Sequence, residues 1–386
     1  MSVTVPVGTP QNSEKSTLFP IGPSSAAILE AVRVNGVVAR SDLPAPTGLS
    51  QQSVHRLTEE LLESGLLERR DPVIQGRGKP SPRLAVNPAG AYAFGVSVDT
   101  NTVETVWVDL TGNILSEGRV DVNPNDPEAV IKAALDLSKR SAKKLGLDPN
   151  RLAGCGISTQ GFRNTQDNIF TTPPLLENWS GFAIEKRFSE AFGCPAYAEN
   201  NGTLGAIAEL WSGAGRDYPT FVYLSFNFGL GGGVVLDGRP FYGFNRNAGE
   251  LTDIYLVEEK PNRPALQYLI RDLQENGLDV PNIDILRSSF DPAWPGVEAW
   301  VLRVAPALNQ LVRAVTAVLD PAAIVFGGEA PSALRDMLIA ATSQRVPDRY
   351  GRKIPGPALV QSQIPAQPSA VGAGIQALRR RVLNQA

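Results

Sequence analysis

Thr47-Gly48-Leu49-Ser50-Gln51-Gln52-Ser53-Val54-His55-Arg56-Leu57 opens the stretch whose reading decides the architecture. Ser50 is a good N-cap, and Val54, Leu57, Leu61 and Leu62 recur at helical spacing, so an amphipathic helix with that face buried is expected. Gly65 should end it. The other face carries Gln51, Gln52, Ser53, His55 and Arg56 at the N-terminal end, where a helix lying in a major groove meets base edges. Upstream, Ala27, Ile28, Ala31 and Val32 form a short amphipathic segment closing at Asn35-Gly36, and a second segment runs from Arg40 to Ala45, giving three helices in sequence. Pro44 and Pro46 fall where the middle helix should end, and Pro44 is expected to cut it short. The sole histidine, His55, carries no metal or catalytic signal; it is either a plain surface residue or a phosphate or base contact beside Arg56.

After Leu66-Leu67-Glu68, the run from Arg69 to Leu84 holds five positive residues, Arg69, Arg70, Arg77, Lys79 and Arg83, against one negative, Asp71. The whole chain has a net charge of -3, so any nucleic-acid contact must be local and not a blanket coating. Glycines flank Arg77, which lets the backbone lie close to a groove wall, and an arginine in a narrow minor groove is electrostatically favoured. A solvated hairpin loop would carry the same charges. The pairing of a base-capable helix with a basic wing favours a double-stranded DNA partner contacted by Gln51, Gln52, Ser53, His55, Arg56, Arg77 and Lys79.

With 386 residues, the chain has material for two or three domains. Residues 1–20 mix Ser, Thr, Pro, Gly and Asn without apolar periodicity and read as a flexible tail, lacking the apolar centre of a signal peptide. No apolar run approaches a membrane span, so no membrane partner and a cytoplasmic location are expected. Cys155 and Cys194 have no His or further Cys beside them; they read as small buried residues in a reducing compartment, not as a disulfide or zinc site.

A larger body starts near Ala91. Tyr92–Val98, Val103–Leu110 and Asn113–Val122 read as a β-meander, followed by a helix from Pro127 to about Leu145. A buried strand over Leu152–Ser158, a helix over Ile184–Phe192, a strand over Ala196–Ala198 and a helix over Thr203–Trp211 come next. Thr220–Phe226 and Gly233–Leu236 read as a hairpin around the glycines 229–233. The order strands, helix, strand, helix, strand, hairpin appears in outline twice, which suggests two α/β halves facing a ligand cleft.

Six segments carry a family resemblance: Thr47-Gly48-Leu49-Ser50, Gly76-Arg77-Gly78-Lys79-Pro80, Val108-Asp109-Leu110-Thr111-Gly112, Ala198-Glu199-Asn200-Asn201, Ala248-Gly249-Glu250 and Ile324-Val325-Phe326-Gly327-Gly328-Glu329. In their order and spacing the chain resembles the regulator branch of the ROK family (repressors, open reading frames and kinases). The resemblance implies an α/β protein with an N-terminal winged helix-turn-helix at 21–88. It implies an actin-like (ribonuclease H-like) sugar-kinase fold of two α/β lobes at 89–386, serving effector binding and dimerisation. Kinase members place an Asp as general base after the Glu-Asn pair; here that position is Asn201, and an amide cannot take the proton. Their first phosphate loop, Asp-x-Gly-Gly-Thr, aligns with Ser97-Val98-Asp99-Thr100-Asn101, where both glycines and the acid are missing and no carboxylate is expected to hold magnesium. Their second, Gly-Thr-Gly, aligns with Asn227-Phe228-Gly229. The family's zinc site needs a His and a Cys cluster after Gly249-Glu250, where this chain runs Leu251-Thr252-Asp253-Ile254.

The expectation is therefore a non-enzyme with no cofactor and no metal: a DNA-binding regulator of carbohydrate genes, controlled by a sugar or polyol effector. Gln160, Gly161, Asn200, Asn201, Glu250 and Asp253 are the candidate effector residues, with amides and carboxylates of the kind that fork onto adjacent hydroxyls. Asn200 and Asn201 alternatively cap the helix that follows, Glu250 is alternatively a surface residue after a turn, and Trp179 either stacks on a sugar or fills the core. A homodimer or dimer of dimers on a near-palindromic operator follows from the two-fold logic of such regulators. The competing readings are an active ATP-dependent sugar kinase fused to a DNA-binding module, and a ligand-independent DNA-binding dimer.

Overall fold

The computed structural model describes residues 18–71, 83–164, 169–342, 348–349, 351–353, 355–365 and 367–385. Arg77 and Lys79, and all of the expected tail except its last three residues, lie outside the described residues.

At the N-terminal end, α1 (Pro23–Asn35) buries Ile28, Leu29 and Val32. A three-stranded antiparallel sheet has the order β1 (Val38–Ala39), β3 (Arg83–Val86), β2 (Leu67–Arg70). Between β1 and β2, the middle segment is a single 3-10 turn over Arg40–Asp42 and a short helix, α2 (Pro44–Thr47). Pro44 begins that helix and does not cut it, because the first helical position has no hydrogen bond for proline to lose. The helix α3 (Gln51–Glu63) is capped by Ser50, whose Oγ accepts from the Ser53 amide at 3.2 Å. Its buried side is Val54, Leu57, Thr58 and Leu61; Leu62 is only half-buried. Thr58 sits in that apolar face by donating its hydroxyl to the Val54 carbonyl at 2.8 Å.

The body contains two five-stranded sheets with one topology repeated. In the first, β4 (Tyr92–Val98), β5 (Val103–Asp109) and β6 (Ile114–Val120) form the meander, followed by α4 (Pro127–Leu145). Then β7 (Leu152–Thr159) returns parallel to β4. After a small hairpin of β8 (Phe162–Asn164) and β9 (Ile169–Thr171) and the helix α5 (Ile184–Phe192), β10 (Ala196–Asn200) adds parallel to β7. The crossing helix α6 (Asn201–Ser212) leads into β11 (Phe221–Phe226), β12 (Leu230–Leu236) and β13 (Arg239–Phe241), a second meander. Beyond α7 (Leu266–Glu275), α8 (Ile283–Ser289) and α9 (Val297–Leu319), β14 (Ala323–Gly328) lies parallel to β11. Helix α10 (Ser332–Ala341) and a parallel strand, β15 (Ala358–Gln361), complete the sheet, and α11 (Pro368–Arg381) closes the chain. The repeat is therefore meander, helix, strand, helix, strand; the hairpin after Thr220 opens the second copy and does not close the first.

The glycine run also sits elsewhere than expected. The turn is Asn227-Phe228-Gly229, and Gly231–Gly233 lie within β12. There they admit α6: a Cβ on Gly233 would stand 2.7 Å from the Gly202 carbonyl oxygen, and one on Gly202 would stand 2.3 Å from that of Gly232. Backbone meets backbone at this crossing, so only glycine fits.

Helices α4 and α5 cover one face of the first sheet around Phe94, Trp107, Phe188 and Trp179; the last is fully buried with its indole N–H on the Pro124 carbonyl at 2.7 Å, a core residue and not a sugar platform. The other face packs on α6 and α11, and this core runs without a break into the N-terminal region through Ile28, Leu29, Leu57 and Leu66. Phe19, only 4% exposed, joins it, so the expected tail ends before that residue. Three polar clamps add to the junction. Arg151 donates to the Ser64 and Gly90 carbonyls, Arg33 stacks 3.8 Å over Trp211, and Asn384 donates to the Ile21 carbonyl at 2.6 Å. Cys155 and Cys194 are free thiols, both pushed up by burial, Cys194 to about 11. Among the described residues no helix is long and apolar enough to cross a membrane.

Candidate functional site

Between the two sheets opens a cavity of about 380 Å3. All six candidate effector residues, Gln160, Gly161, Asn200, Asn201, Glu250 and Asp253, line it. They arrive from separate elements: Gln160 and Gly161 follow β7, Asn200 and Asn201 span the β10–α6 junction, and Glu250 and Asp253 follow β13.

Asn200 plays both of the roles open to it in the sequence. Its Oδ1 accepts from the Gly202 and Thr203 amides, capping α6, while its Nδ2 donates to the Gly161 carbonyl and to Glu250 Oε1, each at 3.1 Å. The side chain thus ties the two lobes across the cavity floor. Glu250 is half-buried, not a free surface residue, and burial with the Asp253 charge beside it lifts its carboxyl to about 7. Asn201 starts α6, two residues earlier than Thr203, and its Oδ1 accepts from the Gly202 amide at 2.9 Å.

Ser97 stands where the aligned phosphate loop has its acid, and a buried carboxyl lies two residues on. Asp99 is buried, with Ser97 Oγ donating to its Oδ2 at 2.8 Å and Gln160 Nε2 to its Oδ1 at 3.2 Å. Burial outweighs those hydrogen bonds and raises its pKa. From the second lobe Glu329 accepts from Gln367 Nε2 at 3.2 Å, and burial with the charges of Asp99 and Glu104 raises it well above the ordinary range. The aligned segment contains Asp99, but not the contact that seats its partner Ser97, which comes from Ser369, 272 residues away, at 2.9 Å.

A second cluster braces the outer wall. Glu199, 1% exposed, pairs with Arg246 and lies 3.8 Å from Arg163 Nε. The Arg163 and Asn247 segments exchange hydrogen bonds, amide to Asn247 Oδ1 at 2.8 Å and Asn247 Nδ2 to carbonyl at 3.0 Å. The cavity further includes Asn227 and Thr252, which the sequence reading named only as alignment positions, and Lys260 and Arg263, which it did not name. The only local hint was the basic pair Lys260 and Arg263 soon after Glu250.

On α3, Gln51, Gln52, His55 and Arg56 are exposed and adjacent; Ser53 is half-buried, and its hydroxyl accepts from Ser50 Oγ at 3.0 Å. Arg56 is paired with Glu60 one turn on at 2.5 Å, an exposed pair that a stronger anion would displace readily.

Residues 93–264 match the model of the ROK family. An uncharacterized protein of Sinorhizobium fredii is 31% identical over 350 residues, covering 90% of this chain and 88% of the relative. A xylose repressor of Caldicellulosiruptor bescii is 22% identical over 78% of this chain and 82% of its own length. Among solved structures, a ROK family transcriptional regulator homologous to the E. coli MLC protein superposes with a TM-score of 0.70 at 21% identity, over 92% of this chain and 96% of that one, a likeness that speaks for the fold.

Proposed function

The chain belongs to the ROK family, and from that premise we propose that it is a DNA-binding repressor of carbohydrate genes, released by a small polyhydroxylated effector in the cleft between its lobes. The N-terminal region acts as a winged helix-turn-helix, with α3 as the recognition helix. Gln51, Gln52, Ser53, His55 and Arg56 meet base edges and phosphates, and the segment holding Arg77 and Lys79 acts as the wing. The protein works as a dimer, placing two copies of α3 about one DNA turn, roughly 34–36 Å, apart on a near-palindromic operator. The effector's hydroxyls are gripped by Gln160, Gly161, Asn200, Asn201, Glu250 and Asp253.

The observation that carries this reading is Asn201, an amide at the place where phosphotransfer needs a base, in a chain that also presents an exposed polar helix end. One observation favours a second reading, a retained sugar kinase: Asp99, a carboxyl of raised pKa hydrogen-bonded to Ser97 and Gln160. Selection of duplexes from random DNA by the full chain, with and without a sugar panel, tests the first. Enrichment of a two-fold operator that a sugar abolishes is expected, and indifference to duplex sequence would overturn it. ATP consumption with any sugar of that panel, lost on Asp99→Asn, would instead establish the kinase.

A further inference from the structure

The cavity is amide-rich on one wall and charged on the other. Asn200, Asn201, Gln160 and Asn227 offer neutral donors and acceptors, while Asp253, Lys260 and Arg263 bring charge from the segment between β13 and α7. Asp253 and Lys260 pair at 3.5 Å and offset each other. Arg263 is different: among the described residues no carboxylate lies within ion-pair distance of it. Its Nη1 donates to the Lys260 carbonyl at 2.8 Å and the Tyr268 hydroxyl at 3.0 Å, and its Nε is buried without a partner. The guanidinium lies 5.3 Å from the Tyr268 ring centroid. A guanidinium carries five donors and no acceptor, so a buried N–H without a partner is an unmet demand for an acceptor.

Glu250 does not meet that demand. Its Oε1 accepts from Asn200, and with its carboxyl lifted to about 7 much of it is neutral in neutral solution. Asp253 and Lys260 engage each other, which leaves Arg263 as the cation lining the cavity that has no carboxylate at ion-pair distance among the described residues.

We propose that the effector is a monoanionic sugar, an aldonate or uronate, whose carboxylate pairs with Arg263 while its hydroxyls lie against Asn200, Asn201 and Glu250. The inference rests on the reading of this cleft as the effector site. A carboxylate matches the charge of this one cation; a phosphate monoester, at about −1.5 to −2 near neutral pH, exceeds it. Guanidinium and carboxylate match as planar forks, so the pair would also orient the ligand. A volume of about 380 Å3 suits one six-carbon unit and not an oligosaccharide.

The test is isothermal titration of the full chain with matched compounds: glucose, gluconate, glucuronate, xylose, xylonate and glucose 6-phosphate. One acid is expected to bind at least tenfold tighter than its neutral parent, with a preference that shrinks as salt rises. Arg263→Met should remove that preference, and Arg263→Lys should keep part of it. A neutral parent that binds as tightly as its acid, or glucose 6-phosphate binding tightest, overturns the inference and leaves the cleft as an effector site. Silence from every compound overturns both.

Discussion

Replacing Glu250 with glutamine should stabilise the protein at pH 8 and change little at pH 5. Burial, with Asp253 adding to it, lifts the Glu250 carboxyl from 4.5 to about 7, so the folded chain prefers the neutral acid. Between those two values the unfolded chain gives up the proton while the folded chain keeps it. The unfolded state then binds fewer protons, stability falls as pH rises through the interval, and it levels off above about 7. The full interval corresponds to about 3 kcal/mol, reduced to roughly 2 by the solvent that still reaches a half-buried group. Glutamine is neutral at every pH, and its Oε1 accepts from Asn200 Nδ2 as the carboxyl does. A chain of 386 residues unfolds with an entropy of roughly 0.8 kcal/mol/K, so the gain appears as a rise in Tm of about 3 °C at pH 8. Thermal melts of both proteins at pH 5, 6, 7 and 8 without sugar read it directly. A Tm difference that does not grow with pH, or one of opposite sign, refutes the argument from burial. The same substitution keeps a hydroxyl-binding group, so a neutral sugar should lose less than tenfold in affinity.

Ser50→Ala removes the cap of α3 and should cost about 1 kcal/mol, read as faster amide exchange at Gln52 and Ser53 and weaker operator binding by fluorescence anisotropy. Gln52→Ala and Arg56→Ala sit on exposed positions and should leave stability within about 0.5 kcal/mol while relaxing base preference in a selected operator pool; unchanged pools from both would remove α3 from the DNA interface. Gly156→Ala puts a Cβ 1.8 Å from the Ala373 carbonyl oxygen, a backbone clash that should cost several kcal/mol and show as loss of soluble protein, whereas Gly146→Ala, with open space around it, should cost no more than about 1–2 kcal/mol for its positive φ.

The sequence was most legible where local signals agreed. The boundaries of β4, α4 and α5 coincide with those read from alternation and helical spacing. For α4, Asp126 caps one end and Gly146 closes the other in the left-handed region. Gln160, Gly161, Asn200 and Asn201 converge because they stand at strand ends or at the start of α6, where side chains face the cleft in open α/β sheets, and Glu250 and Asp253 join them from the loop after β13. What escaped depended on distant chain. Glycines suit a turn and a close backbone crossing equally well, so Gly231–Gly233 could not announce that α6 would press on them. Asp99 needed Ser369 and Gln160 to become a site residue. Glu209, fully buried in the apolar helix α6, is raised by burial and held by the Ser362 hydroxyl and the amides of Ala214 and Gln363; a lone acid among Ala, Ile and Leu was the one visible signal.

Coupling between the cleft and the N-terminal region has a physical route in α11 and a limit in energy. At one end of α11 Ser369 holds Ser97 beside Asp99, and Gln367 reaches Glu329 in the other lobe. At the far end Arg379 lies near Glu30 of α1, and Asn384 holds the Ile21 carbonyl. Between them a Cβ on Gly372 would stand 1.8 Å from the Leu204 carbonyl oxygen, so α11 cannot slide over α6 without unpacking. The lobes themselves meet through polar contacts. Arg119–Asp284 at 2.6 Å and Arg287–Glu104 at 3.3 Å are partly exposed pairs, each worth about 0–1 kcal/mol, and Asn200–Glu250 adds one hydrogen bond. A hundredfold change in operator affinity needs about 2.7 kcal/mol of effector preference for one lobe arrangement. No single one of these contacts supplies that much. A switch of that size changes several of them together, with the first lobe, α11 and α1 moving as a packed unit against the second lobe.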